Sequence, residues 1–381
     1  MGNKSVNQHV ISRQGKTLGT PAAASFYHLK LTILVSLLAW PVTYVFNNAF
    51  EKIDQTVRPF WMMASGFLIL ASVVAGVAKS YVKDWVCYGA VLFAFTAVID
   101  LIITLEFNGV IRNFMSEYLK LGEPYLASSW GSAIALFDGV GFYFMYLGLV
   151  HLICNGKSWR SLGIYWGAGI INSMIVLILG IFTGKHSPTF CTFLNVPYVL
   201  FPIVALIRAF RQEKRPHWNN TSKSLLLKSV DLTLAVSLAG CICITLAKGF
   251  TALAPKNAGV DFLGFVAHEK SFLFDDPAPF PIIQAIVYLF YIVPVQIVSL
   301  YYCLSSHKPS FLWEITLAHA GVMMQGQFSV IGLAFDPQTP LDFQTSWMDT
   351  HFWFYNLLIL IVPHVFLWRL LKQHSTDRKA L

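Results

Sequence analysis

Two aspartates and an asparagine stand inside runs of apolar residues, where ionisable and amide groups are rare. Asp100 closes the run VLFAFTAVID, Asp138 interrupts SAIALFDGVGF, and Asn195 opens NVPYVLFP, with Tyr198 three residues on. At the centre of a membrane-spanning helix a charged side chain costs at least about 2.5 kcal/mol, so such groups pair with neighbours or face an interior cavity. In a cavity, a carboxyl pair can accept a hydrogen bond from a hydroxyl, pair with an amine, or divide acid and base roles between its members. As helix-packing groups, the same residues would bond to neighbours such as Thr104, Tyr143 and Tyr198. The spacing alone leaves both readings open.

The elements that must position these residues are membrane helices. The 381 residues are 56% hydrophobic and 12% charged, which excludes a soluble core of this length. A spanning helix needs roughly 20 mostly apolar residues, because no backbone polar group can stay unpaired in hydrocarbon. Ten stretches meet that test, near 32–50, 59–79, 85–106, 131–154, 162–183, 190–210, 230–252, 281–304, 310–334 and 350–371. At about 1.5 Å of rise per residue, Asp100, Asp138 and Asn195 fall at similar depths, roughly 8 to 11 Å below one membrane boundary. A shared polar site among segments 3 to 6 is therefore expected.

Charge sets the expected orientation. With loops taken alternately, 19 of the 27 Lys and Arg fall on the side holding both termini, and most acidic loop residues fall on the other. This bias makes both termini cytoplasmic. The sequons at Asn3, Asn219 and Asn220 lie on that side and should carry no glycan. Arg378 and Lys379 stand fourth and third from the end, a dibasic pair similar to a retrieval signal for the endoplasmic reticulum. No cleavable signal peptide is evident, and Val6 disfavours myristoylation. The six cysteines form no C-x-x-C pair, so neither a disulfide framework nor a metal site is expected. No glycine-rich nucleotide loop, nucleophile elbow or HExxH occurs, and neither a cofactor nor nucleic acid is an expected partner.

Segments 3 to 6 and 7 to 10 read as two parallel copies of one four-helix unit behind an N-terminal hairpin. Each copy has an acid-proline step in a long loop, Glu123-Pro124 and Asp276-Pro277. Each also has an asparagine seven residues before a proline in its last helix, Asn195 with Pro202 and Asn356 with Pro363. The second copy offers Gln284, Tyr288, His319 and Asn356 as its own polar set. The expected organisation is a cytoplasmic segment 1–31, a hairpin 32–80, units 81–212 and 229–373, a basic linker 213–228 and a tail 374–381.

The runs FAFTAVIDLIITLEFNGVIRNFMSEYLKLGEPYL (93–126), WGSAIALFDGVGFYFMYL (130–147) and NVPYVLFP (195–202), with LLAWPVTYVFNN (37–48) and IGLAFDPQTPL, resemble the transmembrane 6 superfamily. That resemblance implies two EXPERA domains, as in the emopamil-binding sterol isomerase and the sigma-2 receptor. It also implies an all-α polytopic fold and a ligand site on Asp100, Thr104, Asp138, Asn195 and Tyr198. In the isomerase the residues at Asp100 and Thr104 are His and Glu, and Thr104 cannot do the acid-base work of a Glu. The implied function is therefore non-catalytic binding of a sterol or other lipid in the endoplasmic reticulum, in the control of lipid droplets and triglyceride or lipoprotein secretion. The alternatives are a sterol Δ8-Δ7 isomerase using Asp100 and Asp138, and a structural partner of a secretory lipoprotein. The ER-Golgi intermediate compartment or the lysosome are alternative locations.

Overall fold

A computed structural model describes residues 21–212, 225–254, 259–305 and 308–379. The three sequons, residues 213–224 of the linker and the last two residues lie outside the described residues, as do the side chains of Arg378 and Lys379. Among the described residues the chain is helical throughout, with no strand. Nine helices among the described residues are long and apolar enough to cross a membrane: α1 (Phe26–Phe50), α2 (Arg58–Ser80), α3 (Trp85–Phe107), α4 (Ser129–Cys154), α5 (Arg160–Thr183), α6 (Phe190–Arg211), α7 (Ser229–Leu253), α8 (Phe280–Leu304) and α10 (Thr350–Gln373). The tenth expected segment is α9 (Leu312–Phe335), a helix of 24 residues. It carries Glu314, His319, Gln325 and Gln327, all buried by protein, so it needs less apolar surface than a lipid-facing helix. The protein is a polytopic all-α membrane protein.

Burial separates inner from outer helices. In α3 and α5, 72% of the apolar window is buried, against 11% in α2, so α3 and α5 form the core and α2 turns its side chains outward. The main contact between the two sets joins α5 to α9. Gly321 permits it: a Cβ there would stand 2.1 Å from the Tyr165 carbonyl oxygen, and one on Gly169 would stand 3.0 Å from the Gly321 carbonyl oxygen. Small residues at such crossings let backbones approach, which is the main source of helix attraction in lipid. Around this axis α4 packs on α9 and α8 packs on α5, so each second helix of a set of four bears on the third helix of the other.

Two features recur along the sets. Both α4 and α8 contain a five-residue π-helical segment, Asp138–Phe142 and Tyr288–Ile292, which places Tyr288 at the position corresponding to Asp138. Both also pair a buried loop glutamate with the asparagine of the last helix, as the site geometry shows.

Candidate functional site

The local sequence explains how the acids reach one place. Asp84 caps α3 by accepting the N–H groups of Val86 and Cys87, and Ser128 caps α4 by accepting the Gly131 N–H at 3.0 Å. Asp100 then stands in the second half of α3, and Asp138 begins the π segment of α4, where the extra residue per turn swings its side chain toward α3. Gly139 makes the approach possible, since a Cβ there would stand 2.8 Å from the Leu101 Cβ. Asn195 closes the 3₁₀ turn Phe190–Asn195 that opens α6, a turn fixed by the Thr189–Thr192 capping box.

Asp100, Asp138, Asn195 and Tyr198 all line one cavity. The two aspartate side chains are neighbours in it. Tyr198 donates to Asp100 Oδ2 at 3.5 Å, and the buried Tyr146 donates to Asp138 Oδ1 at 3.0 Å. The Tyr198 ring is held by stacking on Phe93, centroids 4.6 Å apart. Thr104 is a correction: its hydroxyl donates to the Ser132 carbonyl at 3.1 Å, a helix-to-helix contact, and it does not face the cavity.

Glu123 is the residue that sequence reasoning leaves out of the site. The loop after α3 folds back through a π turn, Tyr118–Gly122, and a 3₁₀ turn, Pro124–Leu126, and buries Glu123 in the cavity wall. Its carboxylate accepts from Tyr118 at 2.7 Å, from Tyr125 and from Asn195. Burial pushes the Glu123 carboxyl above its ordinary value, and those three hydrogen bonds oppose the rise. The flanking tyrosines, five residues before and two after, were the available signal.

The rest of the wall is mostly apolar, with Ile99 and Ile103 from α3, Ile134 and Phe142 from α4, and Ile170 and Leu177 from α5, beside Thr43, Thr96 and Ser173. Lining residues on α5 run from Ile170 to Leu177, a depth of about 10 Å. The hairpin α1–α2 closes the outer side with Val42, Phe46, Ile69 and Leu70. A mostly apolar cavity with a few convergent polar groups is the general form of a small-ligand site.

The second set is built differently. Gln284 and Tyr288 meet beside Gly326, while Asn356 bonds to a different group of residues. Gln284 bonds to Asn172 of α5, Tyr288 accepts from Gln327 at 3.0 Å, and neither ring nitrogen of the buried His319 has a hydrogen-bond partner among the described residues. Asn356 belongs to a closed ionic cluster. Lys248 donates to Glu269 Oε2 at 2.6 Å and to Asn356 Oδ1 at 2.9 Å, while Asn356 donates to Glu269 at 3.0 Å. Lys248, Glu269 and Asn356 are at most 3% exposed. The loop acid that corresponds to Glu123 is thus Glu269. Asp276, expected in that role, is half exposed and pairs with Lys185. Lys248, which the charge count places on a loop flank, sits inside α7, the first helix of its set, as Asp100 sits inside α3.

A family described as "Transmembrane 6 superfamily member 2-like, transmembrane domain" matches residues 38–220. The chain is 31% identical over 364 residues to mouse transmembrane 6 superfamily member 2, covering 89% of this chain and 92% of that one. The rat protein is 32% identical over 366 residues, with the same coverage, and the human protein 31% over 358 residues, covering 89% and 91%. The chain belongs to the transmembrane 6 superfamily. No solved structure matches it. Within this superfamily member, the match at 38–220 includes every cavity-lining residue named above, from Val42 to Tyr198.

Proposed function

We propose that this superfamily member binds a sterol or other lipid in the cavity among α1 to α6 and acts in neutral-lipid balance in the endoplasmic reticulum, without catalysing a reaction. The reading rests on one observation: a mostly apolar cavity lined by the polar groups Asp100, Asp138, Glu123, Asn195 and Tyr198. An elongated apolar ligand would lie along the aliphatic wall with its polar end on the carboxyls. The excess of basic residues on the terminal side supports cytoplasmic termini, and α3–α6 and α7–α10 are read as diverged copies of one unit. A secretory lipoprotein is a proposed partner.

The test is photolabelling of the purified protein with a photoactivatable sterol. Asp138→Leu would leave the buried Tyr146 hydroxyl without its acceptor, so Asp138→Asn is the better variant. Asp138→Asn should lose most of the labelling, and the outward-facing Val140→Ala should keep it. Equal labelling of wild type and Asp138→Asn overturns the site. The contact between Asp100 and Asp138 favours the sterol isomerase as second reading, since a carboxyl pair can supply both acid and base. Incubation with a Δ8 sterol and analysis for the Δ7 product separates the two.

A further inference from the structure

Away from the cavity, three metal-ligating side chains meet at the loop end of the second set. His268 ends the short helix Phe265–His268, and Asp349 and His351 stand at the start of α10. His268 Nδ1 lies 2.9 Å from Asp349 Oδ2 and His351 Nδ1 lies 4.0 Å from Asp349 Oδ1. The imidazole planes are 19° from parallel with centroids 4.3 Å apart.

We propose that His268, Asp349 and His351 form a binding site for one divalent transition metal, zinc by the chemistry of the donors, with water as fourth ligand. Two imidazole nitrogens and one carboxylate oxygen are a borderline donor set that suits zinc, whereas calcium and magnesium take six or more oxygens. Tetrahedral zinc with bonds of about 2.0 Å needs donors about 3.3 Å apart. The three donor atoms already lie within 4.8 Å of one another, so small side-chain rotations complete the geometry.

Two of the three ligands are held in place. Asp349 Oδ1 accepts the N–H groups of His351 and Phe352 at 3.0 Å each, which fixes the carboxylate and leaves Oδ2 directed at His268. The His268 carbonyl accepts from the Thr345 hydroxyl at 3.2 Å, which anchors its backbone. The His351 side chain is 62% exposed and free to swing in. A capping carboxylate paired with one histidine would account for Asp349 and His268. It leaves the second imidazole, stacked on the first and facing the same carboxylate, without a role. His268 also precedes Glu269, so a metal here clamps the loop that holds Lys248.

The test is calorimetric titration of zinc into the full chain, without a polyhistidine tag, metal-stripped and reconstituted in nanodiscs, with thermal unfolding read in parallel. One zinc per chain is expected, together with a rise in unfolding temperature. His268→Ala and His351→Ala should each weaken binding tenfold or more and abolish the rise, with the metal-free unfolding temperature of His351→Ala unchanged. Asp349→Asn, which keeps a capping side chain, should also weaken binding. Absence of saturable binding beyond that of the His268→Ala/His351→Ala double variant overturns the site. So does binding that only one histidine affects.

Discussion

At the scale of single residues, the two sets of four helices answer the same problem in opposite ways. In the first, Asp100, Asp138 and Glu123 border open space and are satisfied by tyrosine hydroxyls and an asparagine. In the second, the Lys248 ammonium bonds to the loop glutamate and the asparagine. Breaking a buried ion pair by removing one partner costs about 3 to 5 kcal/mol, because the other charge is stranded. Lys248→Met should therefore lower the stability of the protein by an amount of that order, and Lys248→Met/Glu269→Gln should recover much of it. Thermal unfolding of the two variants decides this, and a single variant as stable as wild type would show that the pair contributes nothing. Glu123 gives a pH signature. Its carboxyl is raised by burial, so the folded state prefers the neutral form; the associated stability is full below the ordinary value near 4.5 and is lost as pH rises through the raised value. Glu123→Gln should flatten that part of the stability-pH curve. An unchanged curve would mean that Glu123 is not the group responsible.

At the scale of helices, the ends of the spans were legible because hydrocarbon demands long apolar runs, and the ten expected stretches coincide with α1 to α10 to within two residues, except that α1 starts six residues earlier than expected. The expectation that Asp100, Asp138 and Asn195 stand near one another came from rise per residue, which converts position into height, and all three line one cavity. Rotation about each axis was not legible. Thr104 was assigned to the site by resemblance, yet it bonds to the Ser132 carbonyl of the neighbouring helix. The π segments at Asp138–Phe142 and Tyr288–Ile292 shift the facing of everything after them, and no residue pattern announces a single wide turn. The folding back of Glu123 and the inward turn of Lys248 depend on tertiary packing in the same way. Crossing points are more predictable from glycine. Any side chain at Gly321 meets the Tyr165 backbone, so Gly321→Leu should separate α5 from α9 and destabilise by about 1 to 3 kcal/mol or more. Gly76→Ala in α2, with no atom within 4 Å, should be neutral or slightly stabilising. Parallel melting curves test the pair, and equal losses would refute the close-crossing account.

At the scale of the whole molecule, the α5–α9 crossing joins the two sets through polar as well as apolar contacts. Arg160 donates to Glu314 Oε1 at 2.5 Å and also to the carbonyls of Ala209, Phe210 and Gln212 at the end of α6. Asn172 of α5 donates to Gln284 of α8 at 3.1 Å and to Gln325 of α9. The Arg160 counter-ion and both Asn172 partners thus lie on helices more than 100 residues later in the chain. During synthesis, α5 leaves the ribosome well before α8 and α9 exist. For that interval the Asn172 amide faces either lipid or whatever holds the nascent chain, and a polar group without a partner in hydrocarbon is costly. A chain ending at residue 212 is frozen at this stage. It should be short-lived in cells, and Asn172→Leu should lengthen its half-life in a pulse-chase measurement while shortening that of the full chain, which loses the Gln284 and Gln325 contacts. If the substitution leaves the truncated chain as short-lived as before, the exposed amide is not what marks it. The polar seam that locks the finished protein is, by the same geometry, a timer on its assembly.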